Sequence, residues 1–330
     1  MLDAGFVAAV LEGFEGTLEE VVGRVASPKL GADLAIASPD QGAQSFDRTA
    51  GSRELTDVFL PGAAARGAPQ PADRRKTAMI AYHGGPFSDP TIAAGIWRKH
   101  HAMISFARPE QLGIAAEYAS SFVLDNGAFS LWKAGQHRPA WDPYYLWVEA
   151  WRNHPGFDFA IIPDVIDGSE EDNDDLLAEW PFFEGVPVYH LHEPLDRLAR
   201  LANSYSRIAL GSSGPYRSTC TLRWWDRMQQ IMTMLCGDGD LPTVKLHGLR
   251  MLAPAIMEHI PLSSADSAMV ARNVNRDSKW SGTFAPRTKA ARAITLRDRI
   301  EDAPCATAWK QFRSEQAPQM DLQLEAVGNC

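Results

Sequence analysis

Three aspartates stand where a carboxylate could meet a substrate. Asp125 ends the apolar run SFVL, Asp164 follows FAIIP, and Asp266 follows IPLSSA. Each run is short and β-prone. Each aspartate is therefore expected at the carboxyl end of a strand, with the others close enough to perturb its pKa. An aspartate in such a place can instead cap the next helix, because its side chain accepts from backbone N–H groups there. Three of them at one mouth favour chemistry over capping. Carboxylates so arranged suit displacement at a glycosidic carbon: one attacks to form a covalent glycosyl intermediate while another carries the proton of the leaving group. The third can read the edge of a base.

These residues need a scaffold that gathers strand ends. From Thr77 onward, short β-prone runs alternate with longer amphipathic segments, the pattern of βα units around a parallel sheet. Eight strands are predicted, at 77–82, 102–107, 121–125, 158–163, 186–191, 207–211, 243–247 and 260–265. Between them, segments such as TIAAGIWRKHH, PYYLWVEAWRN, LRWWDRMQQIMTML and LRMLAPAIMEH repeat apolar residues at helical spacing. Eight units in roughly 250 residues match a TIM barrel, and no GxGxxG turn follows the first strand as a dinucleotide-binding sheet would require. The expected fold class is α/β, a (β/α)8 TIM barrel over residues 77–302. It is preceded by a Gly-, Ala- and Pro-rich amino-terminal extension at 1–76, with a candidate helix near Phe6 to Val22, and followed by a tail at 303–330.

In such a barrel the working residues stand past the strand ends. Those positions hold His83-Gly84-Gly85, Arg108, Asp125-Asn126-Gly127, Asp164, His190 and His192, Gly211 to Gly214 (GSSG), His247-Gly248 and Asp266-Ser267. The GSSG stretch would offer backbone N–H groups to a planar or anionic ligand, or serve as a plain tight turn.

Two segments resemble those of a known family. LDNGAFSLW (124–132) is similar to the DSGGFQ segment of tRNA-guanine transglycosylases, and IPLSSADSAMVAR (260–272) to their nucleophile segment. FAIIPDVIDG, VPVYHLHEPLDRL, RIALGSSG and KLHGLRM extend the likeness from about residue 78 to about 275, closest to the DpdA-type relatives that exchange guanine in DNA for a queuosine-related 7-deazaguanine. The resemblance implies a barrel enzyme without cofactor or metal. Asp266 would attack the sugar C1′, and Asp125 would act as acid and base on the departing and incoming bases. Asp164 would accept from the purine N1–H and amine. His192, His190, Phe129, His247 and Gly248 would surround the base, and Gly211, Ser212 and Ser213 would bring a backbone amide to its O6. Arg272, with Arg276 and Lys279, would contact the nucleic-acid backbone. The implied partners are DNA and a free 7-deazaguanine base, with room for a homodimer or for partner proteins of a DNA-modification pathway. The tRNA enzymes carry a Cys-rich zinc site late in the chain that has no counterpart here, which weakens a claim on RNA.

Composition sets the bounds. The 330 residues, 45% hydrophobic, can bury one large core, while a net charge of −9 argues against sequence-independent binding of nucleic acid over the whole surface. A local basic run from Arg272 through Arg299 is the exception. No apolar stretch reaches the ~18 residues of a membrane span, and the acidic amino terminus is unlike a secretory signal, so a bacterial cytoplasm is the expected location. Cys220, Cys236, Cys305 and Cys330 lack metal or disulfide spacing and are expected to be reduced. Trp132, Trp224 and Trp225 could stack on bases, although core packing is the commoner use of tryptophans near helices. Two rival readings stand beside the first. One is a metal-dependent barrel hydrolase, with His190, His192, His247 and Asp266 as ligands. The other is a non-catalytic barrel that only binds nucleic acid.

Overall fold

The computed structural model describes residues 79–274 and 285–309. The amino-terminal extension with its candidate helix, residues 310–330, Arg276 and Lys279 lie outside the described residues. Nine assigned strands form one parallel sheet: β1 Ile80–Gly84, β2 His101–Ser105, β3 Ser121–Asp125, β4 Phe157–Ile161, β5 Gly185–Val186, β6 Val188–His190, β7 Arg207–Gly211, β8 Lys245–Gly248 and β9 Ser264–Ser267. Their order, β5-β4-β3-β2-β1-β9-β8-β7-β6, begins and ends on neighbours in the chain. Only Pro187 separates β5 from β6. Proline has no N–H to give to a ladder, but its carbonyl accepts from Ala209 while Val186 accepts from Ile162. One segment therefore pairs with β4 through its first half and with β7 through its second. The sheet is a nearly closed α/β barrel of eight strand segments, as the sequence predicts.

The described residues also form ten α-helices, the last two after β9: α1 Pro90–Trp97, α2 Leu112–Tyr118, α3 Ala128–Lys133, α4 Asp142–Trp151, α5 Glu170–Glu179, α6 Leu195–Ser204, α7 Leu222–Cys236, α8 Pro254–Met257, α9 Met269–Asn273 and α10 Lys289–Glu301. Their starts follow from side chains that satisfy the first free N–H groups. Asp89 caps α1, Ser169 forms a capping box with Asp172 at α5, and Thr221 and Thr288 cap α7 and α10. In α7, Trp224, Trp225, Met228, Ile231, Met232 and Leu235 recur every three or four residues and are all buried, so this helix is held by one apolar face. Each such side chain contributes roughly 1.5–3 kcal/mol on burial. Trp224 and Trp225 are core residues.

Side chains alternate across each strand, which splits the apolar residues into two layers. The outer layer joins the strands to the helices. The inner one fills the barrel with Tyr82, Met103, Val123, Phe159, Ile161, Val186, Val188 and Ala209. At the amino-terminal end of the barrel, a bulge in β4 between Phe157 and Ala160 adds one residue, and Asp158 bonds the Tyr82 hydroxyl and pairs with Arg207 at 3.4 Å. The packed floor closes this end of the barrel to a ligand.

Three sequence expectations shift. The first strand lies at 80–84, so His83 is within it and faces outward, fully buried, with Nε2 2.9 Å from Glu301 Oε1 on α10. It takes no part in the mouth. The segment LRMLAPAIMEH is helical only over Pro254–Met257. The last strand starts at Ser264 rather than Ile260, whose apolar side chain packs in the outer layer with that of Leu262. Past residue 302, Ala306 N donates to the Met257 carbonyl and Trp309 N to that of Asp240, so the first residues of the expected tail pack on the barrel.

Candidate active site at the barrel mouth

Strand alternation decides which side chains reach the mouth. Tyr82 fills the barrel, so its register partner Asp266 on β9 points inward, and so does Asp125 on β3, two residues on from inward-facing Val123, the register partner of Met103. Asp164 comes from the loop after β4. All three line one cleft of about 1450 Å³ at the carboxyl ends of the strands. His190, His192, Gly211, Ser212, Ser213, Phe129, Trp132 and Arg272 also line it. Its volume exceeds the ~300–1,000 Å³ of a usual small-molecule pocket, leaving room for a base and part of a polymer.

None of the three aspartates caps a helix. After β3, Asn126 Oδ1 accepts from Ala128 N, and Gly127, at φ +76, turns the chain into α3. A Cβ on Gly127 would lie 2.8 Å from the Ala107 nitrogen, so this turn admits no side chain. After β4, Asn173 Oδ1 accepts from Val165 N, and Ser169 supplies the α5 cap. After β9, Ser267 Oγ accepts from Met269 N. The local turns are thus satisfied by other residues, and the carboxylates are left for the cleft.

Each carboxylate is held differently. Asp164, nearly buried, accepts from Asn126 Nδ2 at 2.7 Å, and its Oδ2 lies 3.0 Å from His190 Nε2. That approach is too oblique for a hydrogen bond, and neither His190 ring nitrogen finds a partner among the described residues. Asp266 accepts from the Arg250 backbone N–H at 2.8 Å, which fixes Oδ1. Asp125 is enclosed by protein on all sides except the cleft. Burial and then the charge of Asp266 push its carboxyl up to about 6, against the pull of the neighbouring Ser105 hydroxyl and the Arg250 guanidinium. A carboxyl in that range can hold or release a proton near neutrality.

The histidines divide. His192 Nδ1 is 2.7 Å from Ser213 Oγ, and burial followed by proximity to His190 lowers its pKa, keeping the ring neutral at pH 7. His247 is fully buried beneath Asp266, edge-on to Tyr82 and Phe159, with Nδ1 2.9 Å from Ser264 Oγ and Nε2 3.6 Å from Asp266 Oδ1. It lies under the carboxylate and does not line the cleft. Gly248 faces the outer layer, where a Cβ would meet that of Met251 at 2.7 Å. Both therefore depart from their expected contact with substrate. Gly211 does face inward. A Cβ there would come within 3.4 Å of His190 Nδ1, so a side chain at this point would crowd the histidine. Ser212 accepts from the indole of Trp224.

Several contributors have no signature in the sequence. Asn126 bridges Asp164 to the Ile162 carbonyl. Glu193, buried between Asn173 and Arg197, accepts from His190 N at 2.9 Å and so anchors the β6 end of the site. Arg250 lies between Asp125, Asp266 and Phe129, its guanidinium carbon 3.5 Å from the centre of the phenyl ring. Exposed Arg217, after β7, and exposed Arg272, on α9, line the cleft, as does Asp167 on the β4 loop. Among the described residues, no three His, Cys, Asp or Glu side chains converge as metal ligands would. Cys220, Cys236 and Cys305 form no disulfide among the described residues, and no helix of the described residues is long and apolar enough to cross a membrane.

Comparisons with protein-family models, with curated proteins and with solved structures find no significant match. What stands is a TIM-like barrel whose mouth holds three uncapped carboxylates.

Proposed function

We propose that this protein is a transglycosylase that exchanges guanine in DNA for a 7-deazaguanine base through a covalent glycosyl-aspartate intermediate. The observation that carries the reading is the pairing of Asp266, held by a backbone N–H, with Asp125, whose carboxyl is raised to about 6 partly by the charge of Asp266. One group is oriented for attack, and the other is poised to exchange a proton.

The steps follow from those roles. An Asp266 oxygen attacks C1′ as the C1′–N9 bond breaks, and the departing guanine takes the Asp125 proton. The incoming base then gives its N9 proton to Asp125, and N9 attacks C1′ to release Asp266. Two displacements retain the configuration at the sugar. Asp164 keeps lone pairs beyond its bond to Asn126 and can accept from the N1–H and amine of a guanine-like ring. Arg217 and Arg272, both lining the cleft, suit phosphates. A duplex must expose its base before that base can enter.

The test is incubation of the protein with guanine-containing DNA and a labelled 7-deazaguanine, with any partner proteins supplied. Label in DNA together with release of guanine is the expected result. Label in RNA alone would change the polymer, and label in neither would reject the reading.

A further inference from the structure

Phe129 is the only phenyl ring lining the described cleft, and its face is already taken. The Arg250 guanidinium carbon stands 3.5 Å from the ring centre, the separation of stacked flat groups. Exposed Lys133, at 5.2 Å, is too far to be stacked. Arg250 reaches this place from a left-handed backbone conformation, φ +59, which is unfavourable for a residue with a side chain and persists where the surroundings hold it. The surroundings are its N–H bond to Asp266 and a ring of negative charge. Burial weakens its protonation, while Asp266 and Asp125 favour it and Arg272 opposes it. A flat cation thus occupies the surface on which a flat base would lie.

We propose that Arg250 is a displaceable cover on Phe129: a planar base entering the cleft takes the guanidinium's place, and withdrawal of the cation lets Asp125 take a proton from solvent. The inference rests on the transglycosylase reading for its choice of ligand. The groups facing Asp125 are Ser105 on β2, Asp164 after β4, Arg250 after β8, Asp266 on β9 and, from α4, Tyr144. Of these, only Arg250 is cationic, so its departure leaves two like charges acting on Asp125. The base then meets a protonated carboxyl at the moment when the leaving guanine needs an acid.

The experiment is calorimetric titration of the full chain with free 7-deazaguanine at pH 7.5, in two buffers of different protonation enthalpy. Arg250→Gly keeps the N–H that holds Asp266 and relieves the left-handed strain. Arg250→Asn, which also tolerates that conformation, guards against a fault particular to glycine. Both variants should bind the base about tenfold more tightly, since no cation must leave the ring. The wild type should take up protons as it binds the base, and the variants distinctly fewer. Weaker or unchanged binding in both variants, undiminished proton uptake, or no binding by any of the three proteins would overturn the proposal. Exchange by the wild type alongside weaker binding in the variants removes the cover and spares the transglycosylase reading. Tighter binding with reduced proton uptake, but no exchange by the wild type, does the reverse.

Discussion

Replacing Asp125 by asparagine should make the protein more stable and inactive at once. The side chains are nearly isosteric, so the change removes a charge with little change in packing. In the folded chain the carboxyl titrates at about 6, against about 4 when unfolded. Between those values the native state binds more protons than the unfolded state, so stability falls as pH rises through the window. Above pH 6 the full cost is present. A displacement of about two pH units corresponds to roughly 3 kcal/mol, an upper bound because water in the cleft screens the charge. At pH 4.5 only about 1 kcal/mol remains. For a barrel of this size, 1 kcal/mol moves Tm by about 2–4 °C. Thermal unfolding followed by circular dichroism should therefore show the Asp125→Asn variant melting about 6–12 °C above wild type at pH 8, and only about 2–4 °C above it at pH 4.5. A variant that melts lower at pH 8, or whose gain is the same at both pH values, would refute the account of a carboxylate kept for function at a cost in stability.

Two further outcomes follow. If Asp125 supplies the first proton, kcat/KM for DNA should fall about tenfold per pH unit above about 6, and Asp125→Asn should lack that limb in whatever activity remains; a flat wild-type profile argues against the assignment. Asn126→Ala removes buried bonds to Asp164, to the Ile162 carbonyl and to Ala128 N, so it should cost about 3 kcal/mol in urea unfolding and raise KM for the incoming base more than it lowers kcat. An equal loss in both kinetic constants would mean that Asp164 does not hold the base.

The barrel was legible because each strand segment is a separate short apolar run, and eight such runs alternating with amphipathic segments admit few folds. The facing of individual residues was not. Strands of a parallel barrel are buried on both sides, so their sequences lack the polar alternation that tells inside from outside. For that reason His83 and Gly248 read as mouth residues although both face the helices. Ile260 and Leu262 misled differently: an apolar run packed on the core as coil looks like a strand, whereas the true strand SADS is small and polar where it meets the cleft. The aspartates could be picked out because each follows directly on a short β-prone run of the sequence, and the structure puts all three at or just past the carboxyl end of a strand. Arg250 could not, because it falls in LRMLAPAIMEH, whose spacing is helical, and its left-handed turn is what brings it to Phe129. Glu193 and Asn126 act through contacts across the fold that no local spacing encodes.

The central claim is that Asp266 becomes bonded to the sugar. Incubation with guanine-containing DNA and no incoming base, followed by acid quench, nuclease digestion and peptide mass mapping, tests it directly. The account predicts a base-free deoxyribose phosphate adduct on Asp266, lost in Asp266→Asn and discharged when 7-deazaguanine is added. An adduct on another residue, or exchange that proceeds undiminished in Asp266→Asn, would contradict it.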